Sequence, residues 1–448
     1  MLCLEDIKIE AKCQGFESKQ LSISPKKDRA IIYVESKLHT QDINCPDCSG
    51  QVHIHDSFDI TLKDIPLYPD MPLSLFCTGH RYRCQKCGKD FTESVPFAYP
   101  GTRITKRAAA WIKGFLKNKL SIRAIQNLTG IHWDTIRKVQ QEIMDEALED
   151  REQELSEIAY KPRYLAVDEF AIHKGHSYAT TVMDIETGDI LWVGTGRSIK
   201  DFEKFFQETN PDTLSAVMAV AMDMNASYNR LVEKYLPQAE IVYDRYHMQA
   251  QFGKEVLGVV RLEEARKHKE LSEKILAGIP EDTDKETKQE LKLQAKAEKQ
   301  NYSKLKKSRW TLLMKHEKLS EDRSEHLATI LEIHHDLAVC YAMKEEMCRL
   351  FGLTDSALAE KGWNDWFRAA EESNIPALVR FANLKKQRIK GLIAHANHPI
   401  STGKLEGFNN KIKVVKRFGY GYRNEDYFFK LIRYLSLPPV RSSYPNFP

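Results

Sequence analysis

RYLAVDEFAI (residues 163–172), HSYATTVMDIE (176–186) and DILWVGTGR (189–197) set the architecture of this chain. They are three short runs rich in apolar and β-branched residues, separated by His-Lys-Gly-His (173–176) and Glu-Thr-Gly-Asp (186–189) turns, the pattern of paired strands. Beyond them, SIKDFEKFFQET (198–209) reads as a helix, the apolar TLSAVMAVAMDM (213–224) as a strand, ASYNRLVEKYL (226–236) as a helix and AEIVYDRYH (239–247) as a strand. The order β-β-β-α-β-α-β describes three antiparallel strands extended by parallel crossovers in one mixed α/β sheet. Asp168 is expected to end the first strand and Asp223 the fourth. Carboxylates at neighbouring strand ends can face one another and hold divalent metal; two ions about 3.5–4 Å apart then activate a nucleophile and stabilise a departing oxygen in phosphoryl transfer. Aspartates at strand ends are also ordinary turn formers, and that is the expectation for Asp184 and Asp189 in the hairpin.

This element order matches a ribonuclease H-like sheet. From about Met248 to His395 the pattern is helical and charged with no return of strand signals, and GIPEDTDKET (278–287) reads as an exposed loop. STGKLEGFNNKIKVVKRFGYGYR (401–423) follows, in which Gly403 precedes a helix carrying Glu406 among Lys411, Lys413, Lys416 and Arg417. An acid in so basic a helix is either a surface salt-bridge partner or a further metal-facing carboxylate. The basic aromatic run from Lys416 to Arg423 suits contact with a distorted DNA end, or a helix and turn packed on the core.

Four of the nine cysteines form two tight pairs, Cys45-Pro-Asp-Cys48 and Cys84-Gln-Lys-Cys87. A two-residue gap lets both thiolates of a turn reach one tetrahedral ion, and two such turns complete a structural Zn²⁺ site. Ser49-Gly50 and Gly88-Lys89 allow the backbone to curl around it. The bland alternative is two reduced turns without metal, and His53, His55, Cys77 and His80 are possible substitute ligands. The intervening residues are expected to be β-rich, in VHIHDSFDI and MPLSLFCTGHRYRC. Cys3, Cys13, Cys340 and Cys348 read as buried or incidental thiols.

Between these blocks, TKRAAAWIKGFLKNKL, SIRAIQNLTG with Ser121 as its cap, and HWDTIRKVQQEIMDEA describe a helix-turn-helix. Arg123, Thr135, Arg137 and Lys138 are its candidate DNA contacts, while Trp111, Ile125, Leu128 and Ile136 are expected to form its core. A three-helix packing module is the plain alternative. Charge favours nucleic acid. The whole chain of 448 residues carries only +4, but residues 91–140 hold nine Lys/Arg against two acids, and 385–433 hold twelve against three. Residues 141–160 reverse the sign, with eight acids against Arg151. Two basic blocks on one chain suit a polyanion held at two places.

At roughly 150 residues per domain the length allows about three domains. With 42% hydrophobic and 29% charged residues the chain reads as an ordinary globular protein. No apolar run approaches the roughly 20 residues of a membrane helix, and MLCLEDIKIE lacks a secretory pattern, so cytoplasm is the expected compartment.

Long motifs in fixed order carry a resemblance: CPDCSG, YRCQKCGKDF, VDEFAIHKGHSYATTVMD, AMDMNASYNRLVEKYLPQAEIVYDRYH, SRWTLLM and TGKLEGFNNKIKVVKRFGYGYRN. Together they resemble the ISL3 family of insertion-sequence transposases almost from end to end. The resemblance implies that Asp168, Asp223 and Glu406 match the family's DDE triad, holding two Mg²⁺ (or Mn²⁺) ions, and that Asp244 and His247 match its Asp-x-x-His signature as direct or supporting active-site residues. Tyr246 stands where the family more often has Phe. A metal-activated water is then expected to cut an element end, and the freed 3′-OH to attack target DNA without a covalent enzyme intermediate. His173, Lys174 and His176 form a hairpin turn that either meets the DNA backbone or is a plain polar turn. Lys411, Lys413, Lys416, Arg417 and Arg423 join the candidate DNA contacts, and pairing two ends of double-stranded DNA implies a homodimer or larger assembly.

The expected organisation is a zinc ribbon (1–98), a helix-turn-helix with an acidic linker helix (99–160), the first part of a ribonuclease H-like core (161–250), an all-helical insertion (251–395) and the Glu-bearing remainder of the core (396–448). Two other functions compete. A non-catalytic DNA-binding regulator would not need the acids at 168, 223 and 406, and a nuclease without strand transfer would cut but not join.

Overall fold

The computed structural model describes residues 15–438 apart from 27, 69–70, 119, 174–176, 315 and 420. The N-terminal ten residues, Cys3, Cys13, Lys119, Lys174, His176 and Tyr420, all used above, lie outside the described residues. The chain forms two compact units. One is Met1–Ser156 with Lys416–Tyr434, the other Glu157–Val415 with Leu435–Pro448.

The first unit begins with β1 (Phe16–Ile23), β2 (Ala30–Ser36), β3 (Val52–Lys63), β4 (Leu73–Cys84) and β5 (Asp90–Thr92). Their order is β1-β2-β4-β3, with β5 on β4. β3 and β4 form the expected β-rich insert between the cysteine pairs, a long antiparallel ribbon. β4 alternates, burying Leu73, Leu75 and Cys77 on one face, as a half-buried strand must. β1 and β2 close this core with Phe16, Ala30, Ile32 and Val34.

Three helices follow: α1 (Lys106–Lys117), α2 (Ile122–Thr129) and α3 (Trp133–Glu157). Thr105 caps α1, Ser121 caps α2 as expected, and Gly130 ends α2 in the left-handed region at φ +63°. Ile112, Ile125, Ile136 and Val139 meet in the core. Leu128 does not: it is 56% exposed, because the covered stripe of α2 runs through Ile122, Ile125 and Thr129 and Leu128 lies beyond its edge. Trp111 is only half-buried and leans on Phe115, ring centroids 4.7 Å apart. The acidic stretch is no separate element; it prolongs α3 to 25 residues.

The second unit opens with β6 (Tyr164–His173), β7 (Ser177–Asp184), β8 (Ile190–Thr195), α4 (Ile199–Glu208), β9 (Ala219–Met222), α5 (Ala226–Tyr235) and β10 (Glu240–Tyr243), the β-β-β-α-β-α-β order of the sequence reading. The sheet runs β10-β9-β6-β7-β8, antiparallel through β6, β7 and β8 and parallel through β6, β9 and β10. Phe202, Phe205, Tyr228, Leu231 and Val232 of α4 and α5 pack on Leu165, Val182, Val220 and Met222 of the strands. Asp184 is the turn former expected: it accepts hydrogen bonds from Glu186 N and Thr187 Oγ1 in the second hairpin.

Helices then dominate: α6 (Arg245–Phe252), α7 (Gly258–Ala277), α8 (Lys285–Lys307), α9 (Arg309–Leu313), α10 (Glu321–Ile333), α11 (His335–Leu350), α12 (Ser356–Glu372), α13 (Pro376–Lys386) and α14 (Ile389–Ile393). Among the described residues no strand interrupts them, and 278–284 is the loop joining α7 to α8. Phe252, Trp363, Trp366, Phe367 and Phe381 anchor their shared core. Gly391 of α14 lies so close to the Tyr243 ring that any Cβ there would strike it, which presses the helical segment onto the end of β10. The chain closes with α15 (Gly403–Phe418) and α16 (Glu425–Ser436). No described helix is long and apolar enough to cross a membrane.

Candidate active site and metal-binding cysteines

Sheet register lines up three aspartates. β6 pairs with β9 as far as Ala166↔Ala221, and β9 pairs with β10 as far as Met222↔Tyr243. Asp168 and Asp223 each lie two residues past the first pair, and Asp223 and Asp244 each directly follow the second. The three therefore stand in one row at the C-terminal edge of the parallel strands, where open α/β sheets place their ligands. Asp168 is not the strand end expected, since β6 stays paired with β7, Asp168 opposite Thr181, after β9 has stopped.

Each carboxylate is held differently. Asp168 Oδ1 accepts from Glu169 N at 2.8 Å and Oδ2 from Asn409 Nδ2 at 2.7 Å. Asp223 Oδ1 accepts from Met224 N at 2.6 Å. Asp244 is the N-cap of α6, so it and His247 occupy a helix start rather than the strand end expected. Its Oδ1 accepts from Tyr246 N (2.7 Å) and His247 N (3.3 Å), and its Oδ2 from Thr402 N (2.9 Å). Three backbone donors thus occupy most of the about four acceptor sites of that buried carboxylate. Glu406 stands in the first turn of α15. The His247 imidazole lies between two acids, Nδ1 3.6 Å from Asp223 Oδ2 and Nε2 3.6 Å from Glu406 Oε1.

Burial pushes the Asp168 carboxyl above the usual range, against the pull of the Glu169 amide and His247, and the Asp223 charge adds to the rise. Burial also raises Glu406, reinforced by the charges of Asp244 and Asp168. Acids crowded and desolvated in this way favour a bound cation. Among the described residues, two groups place all their donor atoms within 4.8 Å of one another: the four cysteines, and Asp244 with His247 and Glu406. Asp168, Asp223 and Glu406 do not form such a set, since His247 lies between the last two. Glu169 turns from the row toward Tyr228 and Arg197.

In the first unit, Val52 pairs with Cys84, which sets the turn before β3 beside the turn after β4. Cys48 Sγ lies 3.4 Å from Cys84 Sγ, and Cys45 Sγ 3.6 Å from Cys87 Sγ. Both turns end in a left-handed residue, Ser49 at φ +53° and Gly88 at +74°. The backbone amides of Cys87 and Lys86 draw the Cys84 thiol down to about 6. Gly50 has no room for a side chain: a Cβ would lie 2.9 Å from Lys86 Cβ and 3.2 Å from Cys84 Sγ. The four cysteines suit one tetrahedral metal ion. The alternative ligands are elsewhere: Cys77 is in the sheet core, His80 packs on Tyr82, and His53 and His55 are exposed on β3.

A family model described as transposase, of the ISL3 type, matches residues 165–432. The transposase for insertion sequence element IS1001 of Bordetella parapertussis is 31% identical over 390 residues, covering 87% of each chain. The transposase for insertion sequence element IS1557 of Mycobacterium tuberculosis is 24% identical over 304 residues, 67% of this chain and 65% of that one. The chain belongs to the ISL3 transposase family. The family match spans Asp168, Asp223, Asp244, His247 and Glu406, and leaves Cys45, Cys48, Cys84 and Cys87 outside it.

The candidate DNA contacts fall into two sets. Arg123, Lys413, Arg417 and Arg423 are exposed, though Arg123 donates to Gln126 Oε1 and Lys413 to Asn410 Oδ1, each at 3.1 Å. The others are engaged or partly covered. Arg137 lies between the rings of Trp133 and Tyr427, Lys138 donates to Pro100 O at 2.7 Å, and Lys411 donates to Leu435 O at 2.6 Å. Thr135 and Lys416 are half-buried, and burial lowers the Lys416 ammonium below its usual range. His173 is exposed at the end of β6.

Sequence reasoning missed four residues around the row of acids. Asn409 holds Asp168, Thr402 holds Asp244, Arg388 donates to Met224 O beside Asp223, and buried Lys385 donates to Gln251 Oε1 at 2.5 Å. Only Asn409 left a signal: it follows Glu406 at helical spacing. Of the other cysteines, Cys340 is buried in the helical core, and Cys348 Sγ accepts from Gln249 Nε2.

Proposed function

We propose that this chain binds the ends of an insertion sequence, cuts them by metal-dependent hydrolysis and joins the 3′-OH ends to target DNA. The observation that carries the reading is the carboxylate row: Asp168 and Asp223 in register at the edge of a mixed sheet, with Glu406 of α15 across the His247 imidazole from Asp223. Three antiparallel strands extended by two parallel ones also suit a ribonuclease H-like core.

Asp168, Asp223 and Glu406 would hold Mg²⁺ or Mn²⁺, two ions in the full site, since hard cations prefer carboxylate oxygen and raised carboxyls signal an uncompensated cluster of negative charge. Bound divalent cations supply Lewis-acid stabilisation of the attacking and leaving oxygens at phosphorus. The protein's own part is positional. Asp244 spends its carboxylate on three backbone amides, so it braces the start of α6 and the approach to α15. His247 stands between Asp223 and Glu406 and offsets their repulsion when protonated.

Cys45, Cys48, Cys84 and Cys87 would hold structural Zn²⁺, for four protein ligands leave no position open to substrate. Helices α1 to α3 act as the helix-turn-helix. Arg417 and Arg423 supply phosphate contacts as they stand, Arg123 and Lys413 by releasing one side-chain hydrogen bond each, and Thr135, Arg137, Lys138, Lys411 and Lys416 join them by rearranging. Holding two DNA ends calls for a dimer or larger assembly.

The test is incubation of the purified protein with Mg²⁺ or Mn²⁺ and DNA from the borders of its own gene, beside Asp223→Ala. Cleavage followed by joining, lost in the variant, is expected. Binding with no cleavage would leave a DNA-binding regulator, and cleavage with no joining a nuclease.

A further inference from the structure

Helix α15 brings two side chains to the carboxylate row. Asn409, three residues after Glu406, is buried at 4% exposed. Its Nδ2 reaches Asp168 Oδ2 at 2.7 Å, while the other oxygen of that carboxylate is fixed by the amide of Glu169. Asp168 is thus gripped from its own strand and from a helix 241 residues further along the chain. Chemistry fixes the orientation of the Asn409 amide, because the reverse flip would set its oxygen against a carboxylate. Its Oδ1 is buried with no hydrogen-bond partner. A side chain kept only for packing would avoid that arrangement, since an apolar residue leaves no orphaned acceptor.

The residue type also matters. A lysine here would neutralise Asp168, and a second aspartate would repel it. A neutral amide orients the carboxylate and leaves its charge available to a cation, as hydrogen bonds to metal-ligating carboxylates commonly do.

We propose that Asn409 is a positioning residue that fixes the rotation of the Asp168 carboxylate, so that docking of α15 sets both Glu406 and the lone pair Asp168 offers a divalent cation. This rests on the reading of Asp168 as a metal ligand. The grip also explains how parts of the site lying on either side of the long helical segment keep one geometry: Glu406 and the Asp168 clamp move as one rigid helix face.

The experiment titrates the purified full-length protein with Mn²⁺ alone, reading free Mn²⁺ by electron paramagnetic resonance, with Tm measured in parallel. Asn409→Leu keeps the branching and burial but removes the donor. Its Mn²⁺ affinity should fall about 10–100-fold while Tm holds, and Asp168→Asn should lose the same binding. If Asn409→Leu does not fold, Asn409→Ala, which only removes atoms, takes its place. A merely structural role would lower Tm and leave Mn²⁺ affinity intact; that result, with Asp168→Asn still defective, overturns the proposal and spares the site. Unchanged Mn²⁺ binding in Asp168→Asn would instead overturn the reading of the site, and the proposal with it.

Discussion

The four-cysteine cluster and the carboxylate row are assembled in opposite ways. The cysteines come from two short turns that one strand pairing, Val52 with Cys84, sets side by side, and local backbone amides and left-handed residues shape the rest. The carboxylates come from the middle of β6, from the residues that directly follow β9 and β10, and from a helix far along the chain, and their supports are long-range: Asn409 to Asp168, Thr402 to Asp244. A site made of local turns tolerates changes elsewhere in the fold. A site made of converging elements depends on every packing contact that brings them together.

The largest loss is expected at the acids. Asp223→Ala should lower cleavage of border DNA by on the order of 10³-fold or more, the several kcal/mol that metal-assisted phosphoryl transfer supplies, with zinc content unchanged. The same acids should show proton competition. Burial holds Asp168 and Glu406 above the usual carboxyl range, so they keep protons to higher pH and Mn²⁺ affinity should fall as pH is lowered from neutral.

Next comes Cys48→Ser. Zinc measured by elemental analysis should fall from about one per chain toward none, and β3 and β4 should lose amide protection near the cysteines. Mn²⁺ binding by the second unit should persist. Loss of both would show that the two sites are not independent.

Gly391→Ala tests the dependence on packing. The added methyl meets the Tyr243 ring one residue before Asp244, and should cost about 1–3 kcal/mol in Tm-derived stability. Cleavage should weaken with it, although residue 391 is no ligand. Smallest is Leu128→Ala, which should stay within about 0.5 kcal/mol because the side chain is exposed. Ile125→Ala, fully buried three residues earlier, should cost about 2–5 kcal/mol.

Legibility in the sequence follows the same division. The cysteine spacing, the Ser121 cap, the Gly130 stop and the strand–helix order around Asp168 are local signals, and local geometry obeys them. Leu128 shows the limit: apolar identity says nothing of which helix face is covered. Asp168 misled for another reason, since a hairpin can outlast the parallel pairing beside it. Asp244 was open between a direct and a supporting role on a strand; the chain instead turns into α6 at that residue and commits its carboxylate to backbone amides. Thr402, Arg388 and Lys385 left no trace because each acts across more than a hundred residues.

The most direct test of a metal-dependent cutting centre in the carboxylate row is a paired measurement on Asp168→Asn: Mg²⁺-dependent cleavage of border DNA, and binding of the same DNA. Cleavage should disappear while the DNA affinity stays at the wild-type value. Cleavage at the wild-type rate in Asp168→Asn would contradict such a centre.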